Sequence, residues 1–461
     1  MVTVELPAAD PGVPARPNVV FIAVDDLNHW VGYTGRNPQT KTPNLDRLAA
    51  MGTSFTNAHC AAPVCNPSRT ALLSGRRPGQ TGVYDNGIPY QSGAGVTAGG
   101  ALVTQFKNAG YETVGMGKIW HGGLGFSEQW ERQKEEPRLH PKVKDRSIEG
   151  IRFGIVEGGD EDVEDTATAA FAVAELEKAH ERPFFLGLGF HKPHMPWNVP
   201  EKYYAMHPLE SIELPPLREG DLDDIPEAGR KMAHMNADHQ NVLKTGRWKE
   251  AIQAYLAAVS YLDGQVGRVL DALERSRYRE NTVICLWGDH GWHLGEKEHW
   301  RKFALWEEAT RAPLMWVVPG LTKPGTLCGR PVDFMSIYPT LCDVAGIAKP
   351  EWLAGSSIRP LLADAAAAWK TPAVTTHGRN NHAVRSERWR YIRYADGSEE
   401  LYDHDADPYE WKNLAADPGL AAVKAELGQW LPKENCPEAG TGGKGKKKGA
   451  KAGKKSGAEA E

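Results

Sequence analysis

The sequence predicts an α/β protein: a large mixed, mostly parallel β-sheet sandwiched by helices, followed by a small C-terminal α+β subdomain with an antiparallel sheet. Continuous apolar runs such as NVVFIAV (18–24) and NTVICLW (281–287) are typical of strands buried on both faces of a parallel sheet. Segments with apolar residues at helical spacing separate these runs, as in layered α/β proteins. Beyond about residue 370 the pattern changes to short alternating segments around the turn Ala395-Asp396-Gly397, which indicates an antiparallel hairpin.

The elements follow in order along the chain. The first helix has Pro43 in its first turn and Gly52 just past its end, a pairing typical of helix termini. The full set consists of strands at 18–24, 112–116, 183–189, 281–287 and 313–318, and helices at 43–51, 65–74 (from about Pro67), 101–108, 165–180, 249–275, 334–346 and 417–430. The predicted boundaries are a leader at 1–16, a main domain at 17–369, a C-terminal subdomain at 370–432 and a disordered Lys-rich tail at 433–461.

Composition and charge exclude several classes of protein. The chain has 461 residues, 41% hydrophobic and 25% charged, close to the average of soluble proteins. Residues 441–461 hold seven Lys and two Glu, so the formal net charge of −5 leaves −10 on the rest of the chain, which disfavours a broad nucleic-acid interface. No run of about 18 apolar residues predicts a membrane span. The six cysteines form no CxxC pair and indicate neither a zinc site nor a disulfide framework.

The N-terminal segment MVTVELPAADPGVPARPN has neither a basic n-region nor an apolar h-region, so it does not resemble a signal peptide. The chain as written therefore predicts a cytoplasmic protein. A longer natural N-terminus would change that prediction to a periplasmic or secreted one.

Polar residues follow four of the predicted strands where each strand ends. They are Asp25 and Asp26, Lys118 and His121, His191, and Asp289 and His290. Because ligands of open α/β sheets bind beyond the carboxyl ends of the strands, we expect these groups to converge on one edge of the sheet.

The residue types at this edge suggest an anion site built around a metal ion. Asp25, Asp26 and Asp289 offer the oxygen ligands that Ca²⁺ or Mg²⁺ prefers, and His290 could add a nitrogen; taken alone, an Asp-Asp pair is more often a helix cap or turn. Basic side chains at the same edge would hold an oxyanion, although a single Lys, Arg or His is more often a surface residue. These side chains are Arg69, Lys118, His121, His191 and Lys302.

Cys65 stands at the start of a predicted helix, close to Arg69. A helix N-terminus and a nearby cation lower the pKa of a thiol, so Cys65 is a candidate nucleophile. The alternative is a small buried apolar residue.

The segment Cys65-Asn66-Pro67-Ser68-Arg69 fits the pattern C-x-P-S-R of the type I sulfatases, and 70–75 continue the longer signature of that family. Residues 17–26 resemble the opening strand of the family, and 401–415 resemble its C-terminal tyrosine-aspartate-proline segment. Within the family the resemblance is strongest to the iduronate-2-sulfatases, through the segments 117–121, 190–196 and 289–296 and through Lys302. The family fold is alkaline phosphatase-like, with the catalytic domain here at 17–369.

The resemblance implies a sulfuric ester hydrolase that acts on a sulfated sugar of a glycosaminoglycan or related polysaccharide. In this family a formylglycine-generating enzyme oxidises the cysteine, here Cys65, to formylglycine (3-oxoalanine), whose hydrated form attacks sulfur. One Ca²⁺ would be bound by Asp25, Asp26, Asp289 and His290, with modified Cys65 completing the site. The resemblance also implies a role for each basic residue. Arg69 would help to ionise the attacking hydroxyl of the hydrated formylglycine, Lys118 would orient the diol and bind sulfate, and His121 would remove the proton of the second hydroxyl. His191 and Lys302 would bind the sulfate and protonate the leaving oxygen.

Substrate contacts are predicted from residue type alone. Lys192, His194, His382 and Arg385 could bind a uronate carboxylate, and Trp120 and Trp197 could stack on a sugar ring. Scaffold or surface positions are the alternative for each of them.

Two other functions stay open. A phosphomonoester or phosphonate hydrolase of the same superfamily would use a similar site, although the sequence offers no second ligand cluster for a two-metal phosphatase. A non-catalytic carbohydrate-binding scaffold would leave Cys65 unmodified.

Overall fold

The computed structural model describes residues 14–440. The described strands are β1 (Asn18–Val24), β2 (Thr53–Phe55), β3 (Ala58–His59), β4 (Glu112–Gly117), β5 (Arg132–Lys134), β6 (Val143–Asp145), β7 (Phe153–Val156), β8 (Phe184–Phe190), β9 (Trp197–Pro200), β10 (Thr282–Gly288), β11 (His293–Leu294), β12 (Trp300–Arg301), β13 (Leu314–Val317), β14 (Thr326–Cys328), β15 (Val332–Asp333), β16 (Ala373–Thr376), β17 (His382–Arg385), β18 (Trp389–Arg393) and β19 (Glu399–Asp403). The described α-helices are α1 (Pro43–Met51), α2 (Cys65–Ser74), α3 (Pro78–Thr81), α4 (Leu102–Asn108), α5 (Asp165–Glu177), α6 (Glu201–Ala205), α7 (Glu227–Ala233), α8 (Asp238–Thr245), α9 (Trp248–Arg275), α10 (Glu307–Thr310), α11 (Ile337–Val344), α12 (Arg359–Ala363) and α13 (Ala421–Gly428).

The central sheet has eight strands in the order β14-β2-β13-β10-β1-β8-β4-β5. All neighbouring pairs run parallel except those of β13, which is antiparallel to both β10 and β2. The predicted mixed, mostly parallel sheet is therefore confirmed.

Each face of this sheet carries one hydrophobic core. Successive side chains of a strand point to opposite faces. In β1, Val20, Ile22 and Val24 pack into a core with α1, α5 and α9, while the alternate residues pack into a second core with α2, α4 and α11. This burial on both faces explains why β1 is apolar throughout.

The C-terminal part is a four-stranded antiparallel sheet in the order β16-β17-β18-β19, with α13 packed against it. The predicted hairpin is present, with β18 and β19 paired from Trp389↔Asp403 to Arg393↔Glu399. The sequence pattern did not predict β16 or the small sheet β6-β7-β9, whose strands have at most four residues.

Residues 433–440 belong to the folded body, unlike the prediction of a tail from 433. Cys436 N donates to Gly79 O at 2.8 Å, and Ala439 N donates to Gly82 O at 2.9 Å. The rest of the predicted tail and most of the predicted leader lie outside the described residues. In the described part of the chain, no helix is long and apolar enough to cross a membrane.

Candidate active site

Backbone hydrogen bonds continue past the ends of the central strands and bring the predicted site residues together. Asp25 N donates to Phe190 O at 3.1 Å, Asp289 N to Val24 O at 3.0 Å and Lys118 N to Gly189 O at 3.1 Å. The carboxyl ends of β1, β4, β8 and β10 therefore meet as the sequence predicted.

The close approach of β4 and β8 depends on glycine. A Cβ atom on Gly189 would lie 2.2–2.3 Å from backbone atoms of Lys118, and one on Gly117 would lie 2.0 Å from Gly189 O. Gly117 also has a φ of +89°, which a residue with a side chain rarely adopts. These glycines let Lys118 leave the sheet directly beside β8.

Three buried carboxylates, those of Asp25, Asp26 and Asp289, form what we call the acidic cluster. Cys65 lies at the first residue of α2, and its Sγ is 3.8 Å from Asp26 Oδ1 and 3.3 Å from His290 Nε2. Ligand atoms of Asp25, Cys65, Asp289 and His290 all lie within 4.8 Å of one another. The structure thus brings together the five residues predicted to hold a metal ion.

His290 presents a lone pair to this cluster. Its Nδ1 lies 2.9 Å from Gly291 O, an acceptor, so Nδ1 carries the proton. The unprotonated Nε2 then lies 3.3 Å from Asp26 Oδ1, in the form in which histidine binds metals.

Three cations balance the three carboxylates. Arg69 donates from Nε to Asp289 Oδ2 at 2.8 Å and from Nη2 to Asp25 Oδ1 at 3.2 Å. Lys118 Nζ donates to Asp25 Oδ2 at 2.5 Å. Lys302 Nζ lies 3.0 Å from Asp26 Oδ1 and 2.8 Å from Cys65 Sγ. Adding a divalent cation would make the site net positive, which suits an oxyanion substrate.

The surroundings of Asp25, Asp26 and Cys65 shift the pKa values of these side chains. Burial raises the pKa of Asp26 to about 6. Burial alone would also raise the pKa of Asp25, but the charges of Lys118, His194 and Arg69 hold it well below its usual value. Burial, reinforced by Asp25, raises the pKa of the Cys65 thiol well above its usual value, contrary to the lowered pKa expected from its helix position. Cys65 as a plain thiol is therefore a poor nucleophile here.

His194 is a second histidine, after His290, beside the acidic cluster. Its Nε2 lies 3.8 Å from Asp26 Oδ2, whereas the ring of His191 is hydrogen-bonded to Glu136 at 2.8 Å. The backbone N–H of His191 donates to Asp165 Oδ1 at 2.7 Å, which fixes the turn after β8. The structure therefore gives His194 the position beside the cluster that the sequence analysis assigned to His191.

His121 is half-buried in the turn after β4, where Trp120 N donates to Gly123 O at 2.7 Å. Its role as the base stays a prediction.

Five predicted substrate contacts are wrong. Trp120 and Trp197 are 0% exposed, so neither indole can stack on a sugar. His382 is buried on β17, with Nδ1 3.0 Å from Thr376 Oγ1. Arg385 is buried against Glu307, with Nε 3.2 Å from Oε2. The Lys192 ammonium donates to Pro196 O at 2.9 Å instead of facing a ligand site.

A small pocket opens from the acidic cluster to solvent. Asp26, His194 and Lys302 contribute to it from the site. Its other walls come from Met195, Trp292, Phe303, Arg152 and Arg301. Sequence reasoning missed these five residues; Arg152 falls in a segment without any motif, and Trp292 adjoins the motif at Asp289 but was given no role.

Comparison with known proteins agrees with this site. Residues 17–347 match the sulfatase family model, and 295–436 match that of the N-sulphoglucosamine sulphohydrolase C-terminal region. The chain is 40% identical to a sulfatase of Formosa agariphila, over 91% of this chain and 87% of that protein. It is 31% identical to iduronate 2-sulfatase of Mus musculus, over 72% of this chain and 69% of that protein. A solved structure described as a 2-O GAG sulfatase matches with a TM-score of 0.73 and 26% identity, over 90% of this chain and 91% of that one. The predicted resemblance is confirmed: the chain belongs to the sulfatase family and is a sulfatase.

Proposed function

We propose that this chain removes sulfate from a sulfated sugar, with Cys65 oxidised to formylglycine and one Ca²⁺ held by Asp25, Asp26, Asp289 and His290. The position of Cys65 carries the proposal. Its side chain is fully buried among charged groups, 2.8 Å from Lys302 Nζ and 3.3 Å from His290 Nε2. Burying charges around an apolar side chain is costly, so packing alone gives no reason for this arrangement.

The residues present fit a calcium ion. Ca²⁺ takes oxygen ligands, and the acidic cluster offers three buried carboxylates, including an Asp26 Oδ2 without a hydrogen-bond partner. The thiol of unmodified Cys65 suits such a hard cation poorly, whereas hydrated formylglycine offers hydroxyl oxygens. When bound, Ca²⁺ supplies charge that offsets the carboxylates and polarises an oxygen of the sulfate group.

The cations of the chain have distinct tasks in this proposal. Arg69 fixes Asp25 and Asp289 through two of its nitrogens, and its charge helps to hold the pKa of Asp25 well below its usual value. Lys118 and Lys302 face Asp25 and Asp26 and stabilise negative charge on the sulfate oxygens.

His194 is our candidate for protonating the leaving oxygen. It lines the pocket beside Asp26. Burial, helped by Lys118 and Lys302, holds its pKa well below the usual value. A sulfate group in the pocket opposes that shift, since a nearby negative charge favours the imidazolium.

Two observations support a sugar as the substrate. The relatives named above include an iduronate 2-sulfatase and a 2-O GAG sulfatase. The pocket next to the acidic cluster combines the aromatic side chain of Phe303 with polar groups, as ligand sites commonly do. We propose a glycosaminoglycan or related polysaccharide as the source of that sugar, and a formylglycine-generating enzyme as the maturation partner.

Mass spectrometry of the peptide that contains Cys65 tests the modification. Oxidation of the thiol to the aldehyde lowers the peptide mass by about 18 Da, as expected for a converted nucleophile. The same preparation is assayed with sulfated sugars and with matched phosphate esters, with and without Ca²⁺ after chelation. We expect sulfate release that is lost on chelation and restored by Ca²⁺.

Variants of two buried cysteines provide the control. Cys65→Ala should abolish turnover, while Cys60→Ala should keep it, because Cys60 is buried away from the acidic cluster against Ala309 O. An unmodified Cys65 in fully active protein would overturn the formylglycine proposal. Faster turnover of the phosphate ester would favour the phosphohydrolase alternative, and sugar binding without turnover by the modified chain would favour a binding scaffold.

A further inference from the structure

The chain turns sharply at Asp26, two residues after the end of β1. Asp25 still follows the sheet, since its N–H donates to Phe190 O on β8 at 3.1 Å. Asp26 has a φ of +58°, in the left-handed region that residues with a side chain rarely adopt. Successive residues of an extended strand point to opposite faces, yet the carboxylates of both aspartates belong to the acidic cluster. The left-handed conformation of Asp26 therefore lets two adjacent carboxylates reach one cluster.

Such a backbone conformation costs free energy and persists only where the surrounding structure supports it. Tyr255, on α9, spans the turn. Its hydroxyl donates to Asp26 O at 2.9 Å and accepts from the Asn28 N–H at 2.9 Å. The Tyr255 side chain is 0% exposed, so solvent does not reach these groups. Tyr255 thus ties the turn to a buried helix of 28 residues.

Asn28 secures the other side of the turn. Its Nδ2 donates to Trp292 O at 3.1 Å, and its Oδ1 accepts from the Trp30 N–H at 3.0 Å. The Asp26 N–H donates to Asp289 Oδ1 at 3.0 Å, within the acidic cluster itself. The turn is therefore fixed from three directions, and Tyr255 acts from a helix outside the cluster.

We propose that Tyr255 is a positioning residue: its hydroxyl holds Asp26 in the left-handed conformation that directs the Asp26 carboxylate at the metal ion of the proposed function, on which this inference rests. Loss of the hydroxyl would leave the Asp26 C=O and the Asn28 N–H buried without this partner, which favours relaxation of the turn. The Asp26 carboxylate would then leave its place 3.0 Å from Lys302 Nζ and 3.3 Å from His290 Nε2.

The experiment removes only the hydroxyl, in Tyr255→Phe. Tyr261→Phe is the matched control, because Tyr261 lies on the same helix and is also 0% exposed. The Tyr261 hydroxyl lies 2.9 Å from Thr166 Oγ1 and 3.3 Å from Val163 O, neither of which belongs to the acidic cluster. Asn28→Ala loosens the same turn from its other side and serves as a second test variant.

Three quantities are measured for each variant. Calorimetric titration of chelator-treated protein gives the dissociation constant of Ca²⁺, and denaturant unfolding without Ca²⁺ gives the stability of the metal-free chain. Steady-state kinetics on a sulfated sugar at saturating Ca²⁺ gives kcat and KM.

We expect Tyr255→Phe to raise the Ca²⁺ dissociation constant and to lower kcat about tenfold or more, the usual effect of removing a group that holds a metal ligand in place. KM should change less than kcat, because Tyr255 does not line the pocket. Asn28→Ala should change the dissociation constant in the same direction. Tyr261→Phe should change both quantities less than about twofold, since no proposed metal ligand depends on it, although its metal-free stability should fall as much as that of Tyr255→Phe.

An unchanged Ca²⁺ dissociation constant in Tyr255→Phe, or equal effects of Tyr255→Phe and Tyr261→Phe, would overturn the inference, because the hydroxyl would then serve stability alone. A wild-type chain that binds no Ca²⁺ or releases no sulfate would instead contradict the proposed function. The measurement that remains, kcat in the first case and the dissociation constant in the second, would still decide the role of Tyr255.

Discussion

At the scale of single residues, the turn after β8 assigns different tasks to two histidines three positions apart. The backbone N–H groups of His191 and Lys192 both donate to the carboxylate of Asp165, at 2.7 and 2.8 Å. The chain then reverses, with His194 N donating to His191 O at 2.8 Å. This reversal carries the His194 ring to Asp26 and leaves the His191 ring on Glu136.

The two histidines therefore predict unequal mutational effects. His194→Ala should lower kcat at least about a hundredfold, the usual contribution of a positioned proton donor. His191→Ala should act mainly through the turn and lower kcat less than tenfold. Steady-state kinetics on a sulfated sugar, with circular dichroism to confirm folding, checks both variants. Equal losses, or a larger loss for His191→Ala, would return the catalytic assignment to His191.

The sequence could predict the residues that strand ends bring together, because a parallel sheet fixes where its carboxyl ends lie. Asp25, Lys118 and Asp289 lie close together for this reason. The sequence could not predict which aromatic side chains face the pocket, because their burial depends on packing against residues that are distant in the chain. Trp120 is covered by Tyr90 and Phe126, with ring centroids 4.7 and 5.3 Å away.

At the scale of elements, the pairing of β4 with β8 positions Lys118. Their register runs from Glu112↔Phe184 to Gly117↔Gly189, so the strands end level with each other. Glycine at both final positions lets the backbones approach where the chains diverge. The sequence pattern located both strands within a residue or two but gave no reason for these glycines, because the contact joins residues 72 positions apart.

Gly189→Ala should therefore disturb the site through the backbone. The added methyl would meet Lys118 backbone atoms at 2.2–2.3 Å and displace the Lys118 ammonium from Asp25. We expect a stability loss of about 1–3 kcal/mol, typical of overpacking, together with a lower kcat. Gly99→Ala is the control, since a Cβ on Gly99 meets no atom within 4 Å. Denaturant unfolding and kinetics test the pair, and a Gly189→Ala variant as stable and active as the control would contradict this account.

At the scale of the whole molecule, a buried ion network joins the C-terminal sheet to the catalytic body. Glu307, at the start of α10, accepts hydrogen bonds from Arg385 at 3.2 Å and from Arg390 on β18. Arg390 also pairs with Glu410, which lies 2.9 Å from His404 Nε2. The sequence analysis assigned Arg385 to substrate because residue type alone does not distinguish a ligand-binding arginine from one that holds two parts of a protein together.

Arg390→Met should therefore destabilise the molecule more than it affects chemistry. The side chain of Arg390 is fully buried, and its loss leaves Glu307 and Glu410 without their shared cation. Breaking such a buried pair costs about 3–5 kcal/mol. Burial alone would raise the pKa of Glu307, but the charges of Arg385, His404 and Arg390 hold it well below its usual value of 4.5. Ionised Glu307 therefore contributes fully to the free energy of unfolding above about pH 4.5, and this contribution is lost as the pH falls below that value.

Denaturant unfolding at pH 7 measures this contribution, with Arg388→Met as the control. Arg388 also pairs with a carboxylate, Asp403, at 2.6 Å, but it is 52% exposed, so its loss should cost no more than about 1 kcal/mol. Below about pH 4.5 the difference in the free energy of unfolding between wild type and Arg390→Met should become smaller, because a protonated carboxyl group carries no charge for the guanidinium to pair with. Equal losses for the two variants at pH 7 would mean that apolar packing of the C-terminal sheet, not the ion network, holds it to the catalytic body.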